Sequence, residues 1–204
     1  MPDTTIDLPS LVPSRRGHFR LESGHHGSLW LDIERLCLRV APVRRLAQQL
    51  AEALRGDAVE VVCGPLVDGA FVALLVAGEL DVPFTYSERV AGTSPDALYP
   101  FHYRVPDALR AEVHGRRVAI VNDVINAGSA VRGTFIDLKS GGADVVALGA
   151  LAALGDWAER FAAGERLHLA VLETFASAVW EPDDCPLCAS GEPLSDPLGA
   201  MGRR

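Results

Sequence analysis

Short apolar runs alternate along the chain with segments in which apolar residues recur at helical spacing. The clearest helical pattern covers residues 42–54, and its predicted buried face consists of Val43, Leu46, Ala47, Leu50 and Leu54. The shorter apolar runs predict buried strands at residues 59–63, 84–87, 117–121, 144–151 and 167–172. Two more helices are predicted at residues 70–80 and 131–139, and a long loop or hairpin at residues 91–107.

Strands that alternate with helices predict right-handed parallel βαβ units. The predicted fold class is therefore α/β, with a doubly wound, mostly parallel sheet that binds ligands at the carboxyl ends of its strands. Residues 1–13 are polar and contain proline, so we expect a loose N-terminal arm, followed by a single domain over residues 14–204.

Composition narrows the function. A chain of 204 residues that is 49% hydrophobic can bury one full core. A net charge of −8 argues against nucleic-acid and membrane partners, which need clustered Lys and Arg. The longest apolar run, residues 70–77, is too short to cross a bilayer. The four cysteines have no secretory spacing, so we expect a cytoplasmic protein.

Residues 118–130 carry the most specific signal in the chain. A buried strand is followed by the pair Asn122-Asp123, then by a small-residue loop with Gly128, then by a helix. Backbone N–H groups and the helix dipole make such a loop an anion site. A carboxylate repels phosphate, so Asp123 is expected to accept hydrogen bonds from ribose hydroxyls or to hold a divalent cation. The alternative is an ordinary strand-to-helix turn capped by Asn126.

This segment resembles the phosphoribosyl-pyrophosphate (PRPP) signature of type I phosphoribosyltransferases. The chain as a whole resembles orotate phosphoribosyltransferases. The further matching segments are residues 17–24, 30–32, 61–69 and 185–193, in that order, and they extend over nearly the whole chain. The resemblance implies transfer of a phosphoribosyl group from PRPP to orotate, which gives orotidine 5′-monophosphate and pyrophosphate.

The resemblance also implies roles for individual residues. PRPP would be bound by Asn122, Asp123, Val124, Ile125, Asn126, Ala127, Gly128, Ser129 and Ala130. Pyrophosphate would be received by Pro65, Leu66, Val67, Asp68 and Gly69. The base would be bound by Ser23, Gly24, His25 and Arg160, and the catalytic residues would be Asp123, Arg89 and Arg104. A hood over the base would consist of residues 14–40 and the tail 180–204.

Mg²⁺ is the implied cofactor, held through PRPP with Asp123 as a possible direct ligand, and a homodimer is the implied assembly. For residues 64–69 the residue pattern leaves an alternative open. They form either a pyrophosphate loop or a plain βα turn in which Asp68 caps the helix.

Three positions depart from the family pattern. Asn122 stands where a second acidic residue is usual, and Lys139 is the only lysine, so the usual loop lysine is missing. Arg89 or Arg104 is expected to replace it, the latter across a dimer interface. Arg160 lies near the usual orotate arginine but out of register. These departures leave two alternatives: a transferase for another base, or a non-catalytic relative that senses PRPP or a nucleotide.

The pair Cys185 and Cys188 has zinc-knuckle spacing but supplies only half of a tetrahedral site. A plain turn in the tail is therefore expected, since zinc would need Cys37, Cys63 or a partner subunit to complete the site. The adjacent histidines His25 and His26 point to opposite faces of an extended backbone, so they are not expected to bind one metal together.

Overall fold

The computed structural model describes residues 8–91 and 98–197. A six-stranded sheet forms the centre, in the order β5-β4-β3-β6-β7-β8. Its strands are β3 (Val61–Pro65), β4 (Phe84–Ala91), β5 (Phe101–Arg104), β6 (Arg117–Ile125), β7 (Asp144–Leu154) and β8 (His168–Phe175). All neighbouring pairs are parallel except β4 and β5, which form an antiparallel hairpin. The predicted α/β class with a mostly parallel sheet is confirmed.

Helices pack on both faces of this sheet. The helices of the described residues are α1 (Leu8–Leu11), α2 (Val40–Leu54), α3 (Asp68–Leu80), α4 (Arg110–Val113), α5 (Ser129–Ser140), α6 (Trp157–Glu165) and α7 (Pro186–Ala189). Short 3-10 turns occupy Ile33–Leu38, Arg55–Asp57, Asp107–Leu109 and Pro182–Asp184. Among the described residues, no helix is both long and apolar enough to span a bilayer.

Strand β6 shows how the two layers of the core arise from one sequence. Its successive side chains point to opposite faces of the sheet. Ala119 and Val121 pack against α2 and α3, whereas Val118 and Ile120 pack against α5 and α6. The strand is therefore apolar at every position along this stretch, as expected for a strand buried on both faces.

Helix α2 has the predicted amphipathic character. The residues expected on its inner face are buried: Val43, Leu46, Ala47, Leu50 and Leu54. Burying a Leu side chain contributes about 1.5–3 kcal/mol, so this face anchors the helix to the sheet.

A second, three-stranded sheet lies against the first, in the order β1-β2-β9. Its strands are β1 (Ser14–Arg20), β2 (His26–Leu31) and β9 (Val179–Trp180). The tail also contacts β1, where Arg20 N–H donates to Ser195 O at 2.8 Å and Ser195 N–H donates to His18 O at 2.8 Å. The N-terminal hairpin is thus held between two C-terminal segments.

The structure differs from the sequence prediction at the N-terminus. Residues 1–7 of the predicted loose arm lie outside the described residues, but Leu8 and Val12 are buried in the main core. This part of the arm is packed because its apolar side chains cover the core layer that contains α2.

Several strands are longer than the sequence predicted. β6 runs through Asn122 and Asp123 to Ile125, because β7 pairs with it as far as Ala153. β4 extends to Ala91 and pairs with β5, so the described part of residues 91–107 is a hairpin. The remainder of that predicted loop, residues 92–97, lies outside the described residues.

Candidate functional site

A cavity of about 280 Å³ opens at the carboxyl ends of β3, β6 and β7. The main sheet forms its floor, and the β1–β2 hairpin and the 3-10 turn Ile33–Leu38 form one wall. Residues lining it include Leu21, Glu22, Ser23, Trp30, Pro65, Leu66, Val67, Asp68, Gly69, Tyr103, and all of Asn122, Asp123, Val124, Ile125, Asn126, Ala127, Gly128, Ser129 and Ala130. The structure therefore brings the predicted PRPP and pyrophosphate segments together with Ser23.

The phosphate-type loop is shorter than predicted and consists of residues 126–128, between β6 and α5. Gly128 has φ +76°, and a Cβ atom there would overlap the indole ring of Trp157. Only glycine satisfies both conditions. The close packing of Gly128 on Trp157 fixes the position of the loop that leads into the first turn of α5.

The amino end of α5 is open toward the cavity. Gly128 is the N-cap, and no side chain of the described residues caps the helix, so the alternative in which Asn126 serves as the cap is not observed. The first backbone N–H groups of a helix lack intrahelical partners. Ser129, Ala130 and Val131 all line the cavity, so their N–H groups and the helix dipole are available to an anion.

Two side-chain atoms, one in the loop and one at the start of α5, support the same conclusion. Ser129 Oγ and Asn126 Oδ1 are buried and have no hydrogen-bond partner among the described residues. A buried polar group without a partner costs about 1–3 kcal/mol. Both residues line the cavity, so a ligand with several oxygen atoms would satisfy them.

Asp123 is the buried acid of the cavity, with 9% of its surface exposed. Burial, aided by the charges of Asp68 and Glu22, raises the pKa of Asp123 to about 7, although hydrogen bonds from the Val124 and Asp123 N–H groups oppose the shift. The same negative field reaches Cys37, where burial and the charges of Asp68 and Asp123 raise the thiol pKa to about 11. The clustered carboxyl groups of the cavity therefore favour the binding of a positive charge.

Asn122, the departure from the usual acidic pair, is used inside the protein. Its Nδ2 donates to Val124 O at 2.8 Å. Its Oδ1 packs so closely on Gly69 that a Cβ atom at position 69 would overlap it. Asn122 thereby joins β6 to the first turn of α3, and these are segments predicted to bind ribose and pyrophosphate.

The loop after β3 is short. Leu66 and Val67 connect the strand to α3, the peptide bond between them is cis, and Leu66 N–H donates to Ser87 O at 2.9 Å. Asp68 is the first residue of α3 and the N-cap position belongs to Val67. The alternative in which Asp68 caps the helix is therefore not observed, and Asp68 lines the cavity.

Sequence reasoning missed a polar group formed by Glu22, Tyr103 and Arg89. The Tyr103 hydroxyl donates to Glu22 Oε1 at 2.7 Å, and Arg89 donates to Glu22 Oε2 at 3.3 Å. Burial, followed by the Glu22 charge, raises the pKa of Tyr103. Glu22 and Tyr103 both line the cavity, whereas Arg89 is not among its lining residues. Glu22 belongs to the 17–24 segment, but nothing in that segment distinguishes its side chain as one that faces a site.

The predicted base-binding turn lies between β1 and β2. Ser23 is buried and lines the cavity, and Gly24 adopts φ 84° at the turn. His25 Nδ1 lies 3.0 Å from Ser23 Oγ, and its ring meets Tyr99 edge-on at 5.5 Å. Tyr99 in turn donates from its backbone to Ser23 O at 2.8 Å and from its hydroxyl to Ala127 O at 3.3 Å. Tyr99 therefore connects the predicted base-binding turn with the phosphate-type loop.

None of the three predicted arginines lines the cavity within this chain: Arg89 contacts it only through Glu22, and the other two point away. Arg160 lies on α6, where it is exposed and pairs with Asp156 at 3.1 Å. Arg104 ends β5, where it is exposed and pairs with Asp107 at 2.6 Å. Arg160 and Arg104 occupy positions on α6 and β5 from which the side chain points toward solvent.

No protein-family model matches the chain. Orotate phosphoribosyltransferase of Desulforamulus reducens is 30% identical to it over 181 residues, covering 89% of this chain and 87% of that protein. The enzyme of the same name from Thermotoga maritima is 30% identical over 190 residues, covering 91% of both chains.

Solved structures show the same fold. The crystal structure of orotate phosphoribosyltransferase from Aeropyrum pernix gives a TM-score of 0.59 at 23% identity, covering 79% of this chain and 87% of the other. Adenine phosphoribosyltransferase from Rhodothermus marinus gives a TM-score of 0.62 at 19% identity, covering 82% and 96%.

Proposed function

Because this chain belongs to the orotate phosphoribosyltransferase family, we propose that it transfers the phosphoribosyl group of PRPP to orotate, releasing pyrophosphate. The observation that carries the proposal is the open amino end of α5 beside a buried acid. Ser129 Oγ without a partner, and Asp123 with its raised pKa, stand in one cavity where a phosphate and a ribose would lie.

Each part of PRPP has a matching group. The 5′-phosphate accepts hydrogen bonds from the N–H groups of Ser129, Ala130 and Val131 and from Ser129 Oγ. Asp123 accepts hydrogen bonds from the ribose hydroxyls. Pyrophosphate lies against the amino end of α3 at Asp68 and Gly69, and the base lies against the turn at Ser23 and Gly24.

The reaction passes through a ribose that carries positive charge as pyrophosphate departs. Fixed groups that stabilise this charge supply most of the catalysis in such a mechanism. Asp123 supplies negative charge next to the ribose, and Glu22 and Asp68 add to the field that the cavity exerts. These two acids compensate for the carboxylate that Asn122 lacks.

Mg²⁺ fits this set of donors. Carboxylate oxygens are its preferred protein ligands, and it commonly binds through one or two carboxylates together with substrate phosphates. The Asp68 charge raises the pKa of Asp123 across the cavity, and a cation bound with pyrophosphate would relieve that repulsion. When bound, the ion neutralises charge on the leaving group. With Mg²⁺ between them, the Asp68 carboxylate and pyrophosphate would no longer repel each other, so Asp68 is compatible with a pyrophosphate site.

We place the cation that covers pyrophosphate on Arg89 rather than on a lysine. Arg89 stacks over Phe101 at 4.5 Å and contacts Glu22, which lines the cavity. Arg104 does not reach the cavity of its own chain, so we propose that it acts in the site of the partner subunit across a dimer interface. Arg160 is not retained for the base.

The dimer is supported by an exposed apolar surface on α3 and the loop before it. Val67, Phe71 and Leu74 follow one another at helical spacing and are 62%, 48% and 52% exposed. We also keep the cytoplasm as the expected location, since all four cysteines are free thiols.

The proposal is tested by incubating the protein with PRPP, Mg²⁺ and orotate and following the loss of orotate absorbance and the release of pyrophosphate. We expect turnover that Ser129→Ala reduces at least tenfold, with the loss mainly in KM for PRPP. Turnover with a different base in a panel, or tight PRPP binding without pyrophosphate release, would replace the proposal by one of the two alternatives.

A further inference from the structure

Four potential metal ligands meet where the N-terminal hairpin contacts the tail. His18 on β1, His26 on β2, and Cys185 and Cys188 at α7 bring one ligand atom each to within 4.8 Å of one another. We call this set the His-Cys cluster. It is the only such group among the described residues, and the site proposed above does not use it.

The distances inside the His-Cys cluster resemble the edges of one tetrahedron. His18 Nε2 lies 3.0 Å from His26 Nδ1, 3.4 Å from Cys185 Sγ and 3.7 Å from Cys188 Sγ, and His26 Nδ1 lies 3.2 Å from Cys188 Sγ. Around tetrahedral zinc, bond lengths predict about 3.4 Å between two nitrogens and about 3.6 Å between nitrogen and sulfur.

The tautomer of His18 is defined by its other nitrogen. His18 Nδ1 lies 2.9 Å from Glu192 O. A carbonyl oxygen only accepts, so Nδ1 carries the hydrogen and Nε2 faces the His-Cys cluster without one. A ligating histidine that donates its second N–H to a backbone carbonyl is the usual outer-shell arrangement of a zinc site.

From this geometry we propose that the His-Cys cluster binds one structural Zn²⁺. Two thiolates and two neutral imidazoles make a Cys2His2 set, which closes all four positions and leaves none for a substrate. Two thiolates also neutralise the ion, which suits a site where His18, His26 and Cys185 are buried. The metal class follows from the donors, since tetrahedral sulfur and nitrogen ligands select zinc over magnesium.

The partners that the sequence suggested for the cysteine pair are not used. Cys63 lies inside the main sheet, and neither it nor Cys37 belongs to the His-Cys cluster. The cluster also differs from the pairing of adjacent histidines that was rejected, because it takes His26 with His18 and leaves His25 to Ser23. A bound zinc would fasten α7 to both strands that lead into the turn at Ser23 and Gly24.

The first test measures metal in the whole protein, purified under reducing conditions without added chelator. We expect one zinc ion per chain. Replacement by Co²⁺ should give the absorption of a tetrahedral site with thiolate-to-cobalt charge transfer. In a thiol titration of the native protein, Cys188 should not react until a chelator is added. This measurement uses the wild-type protein, so it does not depend on whether a variant folds.

Variants then assign the ligands. Cys188→Ser and His26→Asn should each lower zinc affinity well over tenfold, whereas Cys37→Ser should retain one ion per chain. Full thiol titration with no metal, a disulfide between Cys185 and Cys188 in the purified protein, or unchanged zinc in both ligand variants would each overturn the proposal. None of these results depends on catalysis, so failure of this site leaves the proposed function intact.

Discussion

In the proposed function Asp123 binds ribose as a carboxylate, whereas burial in the free protein favours the protonated acid. Burial, with the Asp68 charge nearby, holds its pKa at about 7 rather than 3.8. The free energy of ligand binding therefore includes the free energy needed to deprotonate Asp123. At this single residue, substrate binding, cation binding and pH are coupled.

Affinity for PRPP with Mg²⁺ should increase as the pH rises through about 7, because the ligand favours ionised Asp123. Asp123→Asn should bind at least tenfold more weakly above that pH and lose most of this dependence. Isothermal titration at several pH values measures both. Parallel curves for the two proteins would exclude Asp123 as the titrating group.

Stability should show the opposite trend in the free protein. A folded-state pKa above the unfolded value means that the folded chain binds this proton more tightly. The contribution of Asp123 to the free energy of unfolding is complete below pH 3.8 and is lost as the pH rises to about 7. Urea unfolding across that window should therefore show a decline in wild type, by about 1.4 kcal/mol per unit of pKa difference at most, that Asp123→Asn lacks.

Gly128 offers a second test at the residue scale. Gly128→Ala combines a strained φ of +76° with overlap on Trp157, so we expect a loss of about 1–3 kcal/mol in the free energy of unfolding and weaker PRPP binding. Gly78→Ala is the matched control, since it lies in α3 with open space at its Cβ and should stabilise slightly. Equal effects of the two changes on PRPP binding would contradict the proposed phosphate loop.

Sequence reasoning located residues such as Asp123 and Ser129 because the order strand, polar pair, loop and helix is local. It missed Glu22, whose role depends on contacts with Tyr103 and Arg89 from another part of the chain. It also placed Arg160 near the base, since the direction of a side chain on α6 depends on how that helix packs.

At the scale of elements, the β4–β5 hairpin is positioned by α5. Ser87 and Thr134 share a buried hydrogen bond of 2.6 Å, and Asp137 accepts from Val105 N–H at 2.8 Å and from Arg110 at 2.7 Å. The helix whose amino end is the proposed anion site thus also supports the hairpin that carries Tyr103.

Asp137→Ala should lower the free energy of unfolding by about 1–3 kcal/mol, because it leaves the buried Val105 N–H without an acceptor. Asp137→Asn keeps an acceptor oxygen and should lose less. Thermal or urea unfolding compares them. If the two variants were equally unstable, the Arg110 charge rather than the backbone hydrogen bond would account for the effect.

Element positions were predictable where one face of a helix is apolar, as in α2. Element lengths were less so. The end of β6 depends on its pairing with β7, a contact that no local pattern in residues 117–125 contains.

At the scale of the whole molecule, the apolar surface on α3 predicts self-association. Phe71→Glu should shift the protein from dimer to monomer in sedimentation experiments, because burying a charge in an apolar interface is unfavourable. Ile136→Glu, at a comparably exposed apolar residue on α5, should leave the dimer intact. Dissociation by both changes, or by neither, would argue against the α3 surface as the interface.

The contact of the tail with the N-terminal hairpin determines when the proposed base-binding wall can be completed during synthesis. His18 and Cys185 are 167 positions apart along the chain. A ribosome must therefore complete the central sheet, with its phosphate loop, before the segment that closes the hairpin exists. Closing so long a loop also carries an entropic cost that local elements avoid. The nascent protein should therefore complete the proposed PRPP site before it can position a base, although β8 ends only a few residues before β9 begins.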